Sequence, residues 1–117
     1  MSDPIRELQA RLRDFASARD WERFHTPKNL AMALAGEVGE LLELFQWLTP
    51  DEAAAIMDSD RRTDVEDELA DVVIYLARLA DVLGVDLSAA AAAKLERNEH
   101  RFPAPPPPSP ADDTGPT

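Results

Sequence analysis

The chain has 117 residues, 44% of them hydrophobic, and no cysteine, which fits one globular domain and excludes a disulfide scaffold or a thiolate metal centre. A formal net charge of -11 excludes a grip on a nucleic acid polymer through its phosphates, which needs the opposite sign. No apolar run approaches the roughly 20 residues of a membrane span. The opening Met1-Ser2-Asp3-Pro4 has no secretory pattern, so the expected setting is cytoplasmic.

In chain order the sequence predicts helices and no alternating strand. Asp3-Pro4 supplies a cap and a first helical residue for a helix to about Arg19, with Ile5, Leu8, Leu12 and Phe15 at helical spacing. Thr26-Pro27 opens a second helix to about Leu48. Thr49-Pro50-Asp51-Glu52 is a capping box for a short helix to about Met57. A long helix then runs to Leu83 and stops at Gly84, and Asp86 caps a last one through the alanine run to about Arg101. The expectation is an all-α fold, with four long helices and one short helix in a compact bundle over residues 1–102. Residues 103–117 are rich in proline and predict a disordered tail.

Placed on a helical wheel, the second helix has an apolar arc formed by Leu30, Ala33, Leu34, Val38, Leu41, Leu44, Phe45, Trp47 and Leu48. Glu37 and Glu40 fall inside that arc, and Glu43 falls just outside it. On the long later helix, Glu68 lies within the arc of Val65, Leu69, Val72, Tyr75, Leu76, Leu79, Val82 and Leu83, with Asp71 at its margin. Three-residue spacing puts both carboxylates of each pair on one side of a helix. One such pair usually marks a solvated face. Two pairs set among core positions demand a positive partner, because unpaired buried carboxylates are costly. An all-oxygen donor set suits a hard ion, Mg²⁺ or alternatively Mn²⁺.

Gly36-Glu37-Val38-Gly39-Glu40 with Glu68-Leu69-Ala70-Asp71 resembles the carboxylate blocks of the MazG-like all-α nucleotide pyrophosphohydrolases. Gly36 stands where that family's pattern carries its first glutamate. Arg19 to His25, Pro27 to Leu30, Phe45-Gln46-Trp47, Glu68 to Leu76, Val85-Asp86-Leu87 and Lys94 to Asn98 resemble the dCTP pyrophosphatase branch in particular. The resemblance covers residues 5 to 103. Some members carry a histidine on the first helix, and this chain has none there.

The resemblance implies that Glu37, Glu40, Glu68 and Asp71 bind Mg²⁺, and that Glu37 or Glu40 takes the attacking water's proton. The implied substrate is a small nucleoside triphosphate, dCTP or a modified deoxycytidine triphosphate, released as monophosphate and pyrophosphate. Trp47 and Tyr75 are candidates to stack on the base, Asp71 to accept from a cytosine amino group, and Trp21 and His25 to bind substrate from the loop before the second helix. Asn29, Lys94 and Asn98 are candidates for phosphate contacts. Ala89 to Ala93 suggests a close packing surface, and similar proteins imply a homo-oligomer, a tetramer or else a dimer. Two rivals are kept open: the same reaction on dUTP or a broad range of triphosphates, and a non-catalytic helical scaffold.

Overall fold

The structure, a computed structural model, describes residues 2–108. Among the described residues, four of the five α-helices begin where a side chain satisfies a free N–H group of the first turn. Helix α1 (Pro4–Ala18) starts at Asp3, whose carboxylate accepts from the Ile5 N–H at 2.9 Å. Helix α2 (Pro27–Glu43) is capped by Thr26, and α3 (Pro50–Ala54) by the reciprocal Thr49–Glu52 box. Helix α4 (Arg62–Leu83) ends at Gly84, which takes the left-handed φ of 70°. Helix α5 (Leu87–Arg101) starts at Asp86, whose carboxylate accepts from the Ala89 N–H at 3.1 Å. Short 3-10 turns at Glu22–Phe24 and Ile56–Asp58 complete the order, and the described residues contain no strand.

Two boundaries differ from the sequence expectation. Helix α2 stops at Glu43 rather than Leu48, because the chain tightens into i→i+3 turns such as Phe45 N–H to Leu42 O at 3.0 Å and Leu48 N–H to Phe45 O at 3.0 Å. The short helix stops at Ala54, and Met57 falls in the following 3-10 turn. Residues 103–108 have no regular secondary structure, and the rest of the expected tail, 109–117, lies outside the described residues.

Helix α4 is the axis of the fold, with α2 packed along it and α1 against its second half. The buried apolar side chains are Ala16 of α1, Leu30 of α2, Ile56, and Val65, Ala77 and Ala80 of α4. Alanines at the α1–α4 contact let the helices approach closely, and the buried Gln9 amide crosses between them to the Ala77 carbonyl at 2.8 Å. Among the described residues, the side-chain bonds from α5 and its cap to other elements lie at its start, Arg6 to Asp86 at 2.6 Å and Ser88 to Asp3 at 3.1 Å.

The all-α class, the four long helices with one short one, and their order are as expected, and the single chain is elongated. Its radius of gyration is 20.0 Å and its extents are 69 × 36 × 27 Å, against about 13 Å for a compact domain of about 100 residues. Val38, Leu69, Leu76 and Leu83, assigned to apolar arcs by the wheel, stay exposed. Their arcs are wider than one neighbouring helix covers. Among the described residues, no helix is long and apolar enough to cross a membrane.

Because nothing lies within 4 Å of a Cβ built at Gly84, Gly84→Ala should destabilise through its backbone alone. The expected loss is about 1 kcal/mol, read from a urea unfolding midpoint, with helix content unchanged.

Candidate metal centre and adjoining pocket

Helices α2 and α4 bring Glu37, Glu40 and Glu68 together, with one carboxylate oxygen from each inside a group spanning no more than 4.8 Å. Glu37 Oε2 and Glu68 Oε2 are shielded from solvent and have no hydrogen-bond partner. Glu40 is exposed, so the group opens to solvent on its side. Burial, then the neighbouring Glu37 carboxyl and the charge of Glu40, push the Glu68 carboxyl up to about 7. Glu37 is also raised, by burial first and then by Glu40, with a smaller contribution from the charge of Asp71. Two orphaned buried oxygens beside a third carboxylate fit a hard divalent cation, which satisfies acceptors and relieves repulsion together.

Asp71, three residues beyond Glu68, lies outside that 4.8 Å group. It lines an adjoining pocket of about 130 Å³ between α1, the turn after it and α4. Leu12, Phe15 and Ile74 form apolar walls, Trp21 and Tyr75 add aromatic ones, and His25, Asp71 and Arg78 supply polar groups. Trp21 is braced edge-on by Phe15 at 5.5 Å and meets the His25 ring at 6.4 Å. The turn that carries Trp21 depends on Asp20, which adopts a positive φ of 56°.

Arg78 is buried, at 8% exposure, and sequence reasoning missed it. Its Nε donates to His25 Nδ1 at 3.0 Å, and its guanidinium reaches Asp81 Oδ2 at 3.3 Å. Asp81 also pairs with Arg13 of α1 at 3.4 Å. Burial first, and then the Arg78 charge, hold the His25 imidazole below its ordinary pKa, which keeps Nδ1 free to accept. The available signal was spacing: Arg78 stands seven residues, about two turns, beyond Asp71 on the same stripe of α4.

The remaining site candidates are not gathered here. Asn29 uses its side-chain amide to donate to the Phe24 carbonyl at 3.0 Å, bracing the loop before α2. Trp47 is 85% exposed, and Tyr75 lines the pocket without it. Lys94 and Asn98 ride on α5 and belong neither to the carboxylate group nor to the pocket lining.

The model of the MazG-like family matches residues 33–106, which include all four acidic residues of the expected set. The human dCTP pyrophosphatase 1 is 50% identical over 103 residues, covering 87% of this chain and 59% of that protein. The bovine dCTP pyrophosphatase 1 is 47% identical over 102 residues, covering 86% of this chain and 59% of that protein. The chain thus spans less than two thirds of the length of these curated relatives. Among solved structures, a pyrophosphatase from Archaeoglobus fulgidus superposes with a TM-score of 0.82 at 42% identity, covering 89% of this chain and 96% of that one. By the family model, and by likeness in both sequence and fold, the chain belongs to the MazG-like family.

Proposed function

We propose that this chain hydrolyses dCTP, or a modified deoxycytidine triphosphate, to the nucleoside monophosphate and pyrophosphate with Mg²⁺, a reaction that clears such nucleotides from the pool. The observation that carries the reading is the pair of orphaned buried carboxylate oxygens, Glu37 Oε2 and Glu68 Oε2, beside Glu40. The identity with proteins named dCTP pyrophosphatase 1 supports the choice of substrate. Bound Mg²⁺ supplies charge neutralisation for the phosphates and lowers the pKa of a bound water.

Glu37, Glu40 and Glu68 hold the ion in this reading, and Asp71 serves either as a fourth ligand or as an acceptor for the base. Glu37 or Glu40 takes the water's proton. Glu68, Asp71, Tyr75 and Arg78 follow one another at three- or four-residue steps along α4. At 1.5 Å per residue the stripe spans about 15 Å, so phosphates and base can be read from one rigid helix. Trp21 and Tyr75 offer the base aromatic surface in the pocket, while His25 positions Arg78. In this reading Trp47, Lys94 and Asn98 are presented to the nucleotide by another copy in a homo-oligomer. Exposed Leu69, Val73, Leu95 and Phe102 give such an oligomer apolar surface to bury.

Three measurements test these assignments. Glu40→Gln and Asp71→Asn should each lower pyrophosphate release from dCTP on the order of 10²-fold while the circular dichroism spectrum is preserved. Full turnover in both variants removes the mechanism, and a triphosphate panel that prefers dUTP moves the substrate.

The raised carboxyls set a pH dependence. Glu68 binds a proton in the folded state well above its unfolded pKa, so the metal-free protein loses stability as pH rises through about 7. In EDTA the melting temperature should fall between about pH 5 and about pH 8, and Glu68→Gln should flatten that slope. Millimolar Mg²⁺ should raise the melting temperature more at the alkaline end, where no proton competes for the site. A melting temperature indifferent to Mg²⁺ at both ends favours the scaffold reading.

Finally, Trp47→Ala should raise the KM for dCTP severalfold with little change in kcat if the indole stacks on a base held by another copy. An unchanged KM confines Trp47 to the surface.

A further inference from the structure

The pocket beside the carboxylates has room for one small ring. Its volume of about 130 Å³ corresponds to roughly four water molecules at about 30 Å³ each. Its apolar and aromatic walls suit a flat heterocycle, and its polar groups are few and of opposite kinds. Asp71 only accepts hydrogen bonds when ionised, and Arg78 only donates.

Arg78 is held firmly and is not used up. A guanidinium carries five N–H donors in a planar fork. The Nε donor goes to His25 and one terminal nitrogen contacts Asp81. No other hydrogen bond from Arg78 is formed among the described residues, although its side chain is only 10% exposed and lines the pocket. The Arg13–Asp81 pair on one side and the His25 ring on the other fix the plane of the fork. The second terminal nitrogen is not among the shielded, unpartnered atoms and so stays open to the pocket, where a ligand that displaces water must accept from it and one that presents another donor is rejected.

We propose that Arg78 is a specificity-determining residue that reads the base by donating to the ring nitrogen N3 of cytosine, while Asp71 accepts from the adjacent amino group. The inference rests on the reading of the chain as a dCTP hydrolase and adds the group that separates cytosine from uracil. In uracil N3 carries a hydrogen and meets the Arg78 donors head-on, and O4 meets the Asp71 carboxylate. Both mismatches leave buried polar groups unpaired.

The test compares dCTP, dUTP and 3-deaza-dCTP, in which N3 is replaced by C–H, on the full chain with Mg²⁺. The unmodified protein should show kcat/KM about tenfold or more lower for 3-deaza-dCTP than for dCTP. Arg78→Met, similar in length and uncharged, should abolish that difference and lower the dCTP-to-dUTP ratio of kcat/KM by about tenfold. A purely structural role for Arg78 lowers turnover of all three together and leaves the ratios intact. The analogue comparison on the unmodified protein stands even if the variant fails to fold. Equal kcat/KM for dCTP and 3-deaza-dCTP overturns the role of Arg78 alone, whereas no turnover of dCTP removes the proposed activity and this inference with it.

Discussion

Three carboxylates held within 4.8 Å of one another, two with an oxygen cut off from water, set the constraint from which the site follows. Like charges this close cannot all remain ionised in a shielded place without a proton or a cation among them. The raised pKa of Glu68, about 7, is the metal-free form of that compromise. Glu37 and Glu68 come from different helices, so their repulsion acts directly on the α2–α4 contact. The packing of α2 along α4 opposes it, with Leu30 on one helix and Val65 on the other almost fully buried. Packing creates the strain, and a cation bound there would relieve it.

Helix α4 then organises the neighbourhood. One stripe carries Glu68, Asp71, Tyr75 and Arg78, so the carboxylate group and the pocket share a rigid backbone and their separation is fixed by helix geometry. The pocket's other wall comes from α1, brought close by Ala16, Ala77 and Ala80, none of which pushes the helices apart. Asp20 turns the chain so that Trp21 and His25 return to the pocket. Arg78 joins these parts by bonding the returned loop through His25 and the α1 side through Asp81 and Arg13.

Local chemistry explains what could be read from sequence. Asp3-Pro4, Thr26-Pro27, the Thr49–Glu52 box, Gly84 and Asp86 all act within a few residues, and each lies where the sequence placed it. The wheel also put Glu37, Glu40 and Glu68 inside the apolar arcs of their helices, and three-residue spacing keeps Glu37 and Glu40 on one side. The end of α2 was misread because its apolar period continues through Leu44, Phe45 and Leu48 while the backbone tightens into turns. Arg78 was missed for a different reason. An arginine at the margin of an apolar arc reads as solvated, and its burial depends on α1 and the loop, which are remote in sequence.

The width of an apolar arc says how much surface must be covered, but not by which chain. Helix α5 makes the point. Its 15 residues extend about 22 Å, yet among the described residues the side-chain bonds Arg6–Asp86 and Ser88–Asp3 lie at its start. An isolated helix of about this length is marginal in water, even when rich in alanine. Leu95 and Phe102 stand exposed along the free part, and the same helix carries Lys94 and Asn98. Under the proposed oligomer these facts have one cause: the surface that stabilises α5 belongs to another copy. Burying Leu95 and Phe102 there also decides where Lys94 and Asn98 point. Assembly and completion of a phosphate site are then the same packing event, because one helix supplies both the apolar anchor and the polar contacts.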